Sequence, residues 1–172
     1  MPCIANAGRE KTRVQHDKNA ANESGTMSEL SERLQSFDNV PVHRFLGLRM
    51  IKPSSEQAIV EMDVSPNLCQ ETGVVHGGIL SSLADATAAN LFQPYVPEHI
   101  VTTSIEFKMN FFRPVLADNG MLTARASVIR QGQKVAVAEV EITQAEKLVA
   151  KGTFTFLFVD KREWGRKVID QH

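Results

Sequence analysis

Apolar side chains occupy most positions of residues 78–92, GILSSLADATAANLF, and leave no continuous polar face. The length of this stretch and its spread of leucine and alanine predict an α-helix. Pro94 ends it, because a proline cannot continue a helix. Since a helix that is hydrophobic on all sides is typical of a protein interior, we expect this helix to be buried.

The remaining ordered part of the chain alternates between apolar and polar residues, which is the period of a strand with one buried face. In residues 104–112, SIEFKMNFF, the alternation puts Ile105, Phe107, Met109 and Phe111 on one face. Further extended segments are predicted at 50–64 (two pieces), 120–130, 133–143 and 147–159, with a hairpin turn at 130–132. The sequence therefore predicts an α+β fold, in which a long curved antiparallel sheet wraps around one central helix.

The expected boundaries of this domain follow from where the large apolar residues begin and end. Residues 1–27 contain few of them and show no period, so we expect a flexible tail. Ser28 is a candidate N-cap for a short amphipathic helix that opens the domain. The domain is predicted over 28–160, and residues 161–172 are predicted to be a second tail.

Composition narrows the function classes. Of the 172 residues, 42% are hydrophobic and 23% charged, and the formal net charge of −1 gives no basic surface for nucleic acid. We find no apolar run near the roughly 18 residues that a membrane span requires. The two cysteines, Cys3 and Cys69, have neither a disulfide pattern nor metal-ligand spacing. A cytoplasmic protein that binds neither nucleic acid nor membrane is predicted.

A His-Gly-Gly step stands at the start of the predicted helix. The first backbone amides of a helix have no partner within the helix and lie at the positive end of its dipole. Without side chains, the amides of Gly77 and Gly78 can be approached closely by an oxygen that carries negative charge, which is the geometry of an oxyanion hole. The structural alternative is a glycine pair that eases the bend into the helix.

Asp85 lies in the middle of the same helix, between apolar neighbours. Burying an ionised carboxylate without a partner costs free energy, so its presence needs a reason. The residue either satisfies a nearby backbone or serine group, or acts as a general base or nucleophile. Gly77 is eight positions away, roughly 12 Å along a helix axis, which is too far for one carbonyl to touch both. Two such helices, antiparallel across a two-fold axis, would pair Asp85 of one chain with Gly77 of the other.

These residues also carry a family resemblance. The segment GVVHGGILSSLADATAA, residues 73–89, resembles the motif of hotdog-fold acyl-CoA thioesterases, especially the PaaI-like and 4-hydroxybenzoyl-CoA types. The resemblance extends over about residues 40–158, including HRFLGLRM, SIEFKMNFFRPV and VIRQGQKVAVAEVEI. It implies a hotdog fold and a homodimer with shared active sites, with a homotetramer as the favoured larger assembly.

The resemblance implies a role for each matching residue of the motif. Asp85 matches the catalytic carboxylate, which activates water or attacks the thioester carbonyl. Gly77 matches the backbone amide that polarises this carbonyl, and Gly78 would contact substrate beside it. Gln70 falls where the family has an amide side chain near the carbonyl or water. His76 matches the histidine of the motif, as a positioning group or hydrogen-bond donor.

Other expected contacts come from the strands. Ser104 falls where PaaI-like members carry a hydroxyl that holds the carboxylate or water, and Thr103 is its competitor. Because coenzyme A carries phosphates, its site should offer cations. Arg113, Arg130 and Lys134 are the candidates, by their positions at a strand end and a hairpin.

The resulting prediction is hydrolysis of an acyl-CoA thioester to a free acid and coenzyme A, without a metal or cofactor. The nucleophilic and general-base mechanisms both use Asp85 and stay open, as does the acyl group. The alternative is a hotdog protein that binds or senses acyl-CoA without turnover, but such regulators usually lack the carboxylate. A hotdog dehydratase would need a catalytic histidine in a different motif.

Overall fold

The computed structural model describes residues 27–53, 56–92, 96–97, 99–117 and 120–162. The predicted tails lie almost entirely outside these ranges. In chain order the elements are α1 (Met27–Asp38), α2 (Pro41–Leu46), β1 (Leu48–Lys52), β2 (Gln57–Met62), a 3₁₀ turn (Pro66–Leu68), α3 (Gly77–Phe92), β3 (Ile100–Phe111), β4 (Leu122–Gln131), β5 (Val135–Gln144) and β6 (Lys147–Asp160).

The strands form one antiparallel sheet in the order β1-β2-β4-β5-β6-β3. The predicted fold class is confirmed, because this sheet packs its apolar face against the single long helix α3. Phe154 and Phe156 of β6 are fully buried there, and Phe92 of α3 lies against Phe156 with 5.6 Å between ring centroids. Strand β3 forms one edge of the sheet within the protomer, paired only with β6 among the described strands.

The predicted hairpin turn at 130–132 is wrong by two residues. Strand β4 continues to Gln131, and the turn spans residues 132–134, closed by a hydrogen bond from the Gly132 amide to the Val135 carbonyl. A register shift between Val128 and Arg130 lengthens the ladder in this direction. Such a bulge places one extra residue in β4, and its position depends on the pairing with β5, so the pattern of a single strand does not reveal it.

The predicted face of β3 is confirmed only in part. Phe107 and Phe111 pair with the buried residues Phe154 and Ala150 of β6. Between Ser104 and Glu106 the register shifts, so that Ile105 is left without a partner in the ladder and is 56% exposed. The strict alternation is therefore interrupted at Ile105, whereas Phe107 and Phe111 keep their places opposite buried residues of β6.

Helix α3 is not buried on all sides within the protomer. Its side chains toward the sheet are buried, including Leu83, Ala84 and Ala88. On the other side Ser82 is exposed, and Asp85 is only partly buried. The predicted all-round burial is therefore wrong for one stripe of the helix, which is the stripe that carries Asp85.

Candidate active site

Asp85 and Ser104 are in direct contact. The Ser104 hydroxyl donates to Oδ1 of Asp85 over 2.5 Å, from β3 to the middle of α3. Ser104 is the residue immediately before the register shift, and a bulge is a common device for re-aiming a strand side chain. The carboxylate has no other hydrogen bond and no ion pair among the residues that the structure describes. Its proton-accepting capacity is therefore largely unused.

The start of α3 engages one of its two glycine amides and leaves the other open. The Gly78 amide donates to Nδ1 of His76 over 2.9 Å, so that His76 closes the first turn. Because a backbone amide can only donate, Nδ1 is an acceptor here and the ring proton is on Nε2. The Gly77 amide has no hydrogen-bond partner in the described part of the chain. Of the two predicted oxyanion donors, Gly77 is therefore the available one.

A cavity of about 400 Å³ opens beside Gly77. The Phe111 ring covers this residue so closely that a Cβ there would lie 3.3 Å from the ring. Gln70 and Arg113 line the same cavity, so three residues predicted from sequence meet there. Gln70 lies at the base of a tight turn, in which its backbone N–H donates to the Val74 carbonyl over 2.8 Å. Gly73, within that turn, has a φ of 78°, a conformation that favours glycine.

Asp85 opens into a different cavity of about 650 Å³. One wall is the open stripe of α3, and the other is formed by α1, α2 and β1. The lining residues are Ser36, Phe37, Val40, Val42, His43, Leu46, Leu48, Met50, Pro53, Ser82, Asp85, Ala86, Ala89 and Asn90. Within one protomer the structure thus joins Asp85 to Ser104 and Gly77 to Gln70, but it does not join the two pairs.

The remaining candidates are scattered. The Arg113 guanidinium donates to the Leu148 carbonyl over 2.5 Å, and this bond holds the Arg113 side chain at the cavity beside Gly77. Lys134 lines a third cavity of about 630 Å³, together with Asp160. Hydrogen bonds from Arg162 hold the pKa of Asp160 well below its usual range, so this cavity also carries an anionic carboxylate. Arg130 is exposed.

Thr103 and Ser104 are neighbours on β3, and only one of them reaches the carboxylate. Ser104 pairs with the buried Phe156, whereas Thr103 pairs with Leu157. Since successive strand residues point to opposite faces, the Thr103 side chain lies on the other side of the sheet from Asp85.

Sequence reasoning missed the wall opposite Asp85. This wall includes α2, a helix of six residues in which His43 lines the cavity. The element is too short to show a helical period, but its ends carry a recognisable pattern. Pro41 is its first residue, and Gly47 follows it with a φ of 70°. Proline at the first position and a left-handed glycine after the last are typical helix limits.

Within the described residues, no helix is long and apolar enough to cross a membrane. The same residues contain no group of three or more histidine, cysteine or acidic side chains placed to hold a metal ion.

Known proteins that resemble this chain in sequence are thioesterases and esterases. The family model of the thioesterase superfamily matches residues 72–151. A protein of Saccharolobus solfataricus that is named as an inferred esterase is 32% identical, over 64% of this chain and 77% of its own. The 1,4-dihydroxy-2-naphthoyl-CoA hydrolase of Listeria monocytogenes is 28% identical, over 69% of this chain and 95% of its own.

A solved structure shares the architecture. The PaaI protein from the phenylacetic acid degradation operon of Escherichia coli superposes with a TM-score of 0.66 at 27% identity, over 76% of this chain and 96% of that one. The chain therefore belongs to the thioesterase superfamily, with the hotdog fold of PaaI-like thioesterases.

Proposed function

We propose that this protein hydrolyses acyl-CoA thioesters to a free acid and coenzyme A, with Asp85 as the catalytic carboxylate. The observation that carries the proposal is the hydrogen bond from Ser104 to Asp85 at the wall of a mostly apolar cavity. A carboxylate that is partly buried, held in place and otherwise unpaired is suited to take a proton or to attack a carbonyl carbon. The Listeria relative, named as a CoA-thioester hydrolase, supports this reaction class.

The proposed reaction begins with the thioester carbonyl oxygen on the Gly77 amide. As the carbonyl carbon becomes tetrahedral, negative charge develops on that oxygen, and a fixed donor at the positive end of α3 stabilises it. In the general-base route, Asp85 removes a proton from water while the water oxygen attacks. In the nucleophilic route, an Asp85 oxygen attacks, and water then hydrolyses the resulting anhydride. Either route expels coenzyme A as the thiolate, which is then protonated.

Neighbouring groups would assist these steps. Ser104 would hold the carboxylate in one orientation, leaving Oδ2 free to act. His76 would fix the first turn of α3 by occupying the Gly78 amide, so that the Gly77 amide stays available. Gln70, in the same cavity as Gly77, would bind the carbonyl oxygen or the water. Among the described residues, Arg113 is the cation that lines the cavity beside Gly77, and it is therefore the best candidate to bind a coenzyme phosphate.

We further propose that the complete site forms between two copies of the chain. No described strand pairs with the outer edge of β3, and its residues Ile105, Phe107 and Phe111 are each at least half exposed. An exposed edge strand with apolar side chains favours pairing with a second strand. Each protomer carries two half-sites, one formed by Asp85 with Ser104 and the other by Gly77 beneath Phe111. Ser104 and Phe111 are seven residues apart, roughly 23 Å along β3. Antiparallel pairing of two β3 strands centred between them would set Ser104 of one copy opposite Phe111 of the other.

The first test is release of free thiol from a panel of aryl, short-chain and long-chain acyl-CoAs. Asp85→Asn keeps the shape of the side chain but removes the base, and we expect a loss of about 10² to 10⁴-fold in kcat. Asp38→Asn, at an exposed position, is the matched control and should keep full activity. Absence of turnover on every thioester, with binding retained, would refute the enzyme and favour an acyl-CoA sensor.

The second test asks whether the site is shared. Asp85→Asn and Gly77→Val chains, each inactive alone, are co-expressed with different affinity tags. A mixed dimer would hold one site with both defects and one site with neither, so random pairing should restore about a quarter of wild-type activity. Activity that stays at the level of the two parents would show that each protomer carries its own complete site.

A further inference from the structure

Gln144 carries a buried amide side chain at the end of β5. The residue is only 5% exposed, and Thr87 is the one other polar residue that is buried among the described residues. The Thr87 hydroxyl donates to the Leu83 carbonyl within its own helix. Gln144 differs from Thr87, because its hydrogen bonds connect segments of the chain that are distant in sequence.

Both hydrogens of the Gln144 amide are used, and both bonds go to the chain between β3 and β4. Nε2 donates to the Leu116 carbonyl over 3.0 Å and to the Gly120 carbonyl over 2.9 Å. Since a carbonyl oxygen can only accept, the amide must present its nitrogen, and not its oxygen, to this pair. One side chain thus holds the chain between β3 and β4 at two points.

The held chain forms part of the wall of the cavity beside Gly77. Val115 lines that cavity and directly precedes Leu116. Leu116 forms a bridge with Val74, and the Val75 amide donates to the Val115 carbonyl over 3.0 Å. Val75 and Val115 are both buried, so water cannot easily replace this bond. The wall is therefore fastened to the turn that leads into α3.

That turn carries the groups that are proposed to bind the thioester oxygen. Gln70 lies in it, bonded to the Val74 carbonyl, and the chain continues through His76 to Gly77. The His76 amide is held separately, by the Leu68 carbonyl, so release of the wall should loosen this half-site rather than unfold it. A displacement of reacting groups by about 1 Å can lower a rate by about 100-fold.

From this arrangement we propose that Gln144 is a positioning residue, which fixes the wall beside Gly77 and thereby the place of the Gly77 amide. The residue is absent from the described linings of the cavities at Gly77 and at Asp85, so it acts through the backbone and not on substrate. The kinetic consequence rests on the proposed function, whereas the mechanical one does not.

The first test follows amide hydrogen exchange by NMR and needs no turnover. In Gln144→Met the side chain keeps its length and loses both donors. We expect the Val75 amide to exchange about tenfold faster, the ratio that one hydrogen bond of ordinary net strength provides. The Val140 amide, in the middle of β5 between two strands, should be unchanged. Unchanged exchange at Val75 in the folded variant would overturn the proposal.

The second test measures thiol release by the same variant, well below its unfolding temperature. We expect kcat to fall by about 10- to 100-fold and KM to stay within about twofold, because the Gly77 amide acts on charge that develops in the transition state. Gln35→Met, the same substitution at an exposed position of α1, is the control and should behave as wild type. A kcat within threefold of wild type, or a loss confined to KM, would overturn the positioning role.

A measurement on the wild-type protein decides the case in which Gln144→Met does not fold. The two Nε2 hydrogens of Gln144 should exchange at least tenfold more slowly than those of the exposed Gln35, because they are bonded and buried. Equal exchange rates would overturn the proposal. Protection of Val75 that depends on Gln144 would support it even if no thioester were hydrolysed, so the two proposals can fail separately.

Discussion

Replacing Ser104 by alanine removes the described hydrogen bond to the proposed catalytic carboxylate while changing little else. The hydroxyl lies 2.5 Å from Oδ1 of Asp85, and alanine fills nearly the same volume in the strand. A hydrogen bond to a charged group contributes about 1.5–3 kcal/mol, which corresponds to roughly 10- to 150-fold in rate. Because Asp85 is only partly buried, water can take the vacated place, so we expect a loss near the lower limit.

The assay is thiol release as a function of substrate concentration, which separates kcat from KM. If Ser104 orients the carboxylate for the chemical step, the loss should appear in kcat, with KM nearly unchanged. Ser127→Ala, the same substitution at an exposed strand position, is the control and should behave as wild type. A kcat of Ser104→Ala within threefold of wild type, in a protein that unfolds normally, would refute the assigned role.

Two further predictions concern stability. A Cβ on Gly152 would overlap Sδ of Met109 and lie 2.7 Å from the Lys108 carbonyl oxygen, so Gly152→Ala should lower the free energy of unfolding by about 1–3 kcal/mol. Denaturant unfolding measures this, and shortening Met109 as well should recover only part of the loss because the backbone contact remains. Hydrogen bonding to Arg49 lowers the pKa of Asp63 in the folded protein. This pair should therefore stabilise the fold at pH values above 3.8, the ordinary carboxyl pKa. The stabilisation should be lost as the pH falls through the lowered pKa that Asp63 has in the folded state. With the two side chains 44% and 68% exposed, Asp63→Asn should cost at most about 1 kcal/mol at neutral pH and nothing in strong acid, and an equal cost at both would contradict this assignment.

Local patterns were sufficient for the helix and for most of the sheet. The apolar run of α3 and the alternation of the later strands depend only on near neighbours in sequence, and both predictions agree with the structure. The break in the alternation at Ile105 could not be predicted in this way. Its cause is a register shift against β6, a strand more than 40 positions later in the chain. The turn of the β4–β5 hairpin was misplaced for a similar reason.

In the candidate site, too, some residues are recognisable from a short segment of sequence and others only from the folded structure. The His-Gly-Gly step and Asp85 are recognisable because each lies in a short segment with an unusual chemical content. The wall opposite Asp85 is different, since Phe37 and His43 acquire their meaning only when α1 and α2 fold across the open stripe of α3. A histidine in a helix of only six residues has no pattern of its own until its neighbours in space are known.

Three features of the protomer look like defects of packing when a single chain is considered. A carboxylate stands on an incompletely covered stripe of the core helix, the outer edge of β3 pairs with no other described strand, and Phe107 and Phe111 on that strand are half exposed. Each is unfavourable alone, because exposed apolar area and free strand edges cost stability and promote association. One two-fold axis through β3 would remove all three together, by pairing the edge, covering the aromatic rings and bringing the second half-site toward Asp85. One arrangement that accounts for all three features is stronger than a separate explanation for each, and it ties the proposed chemistry to the association of two chains.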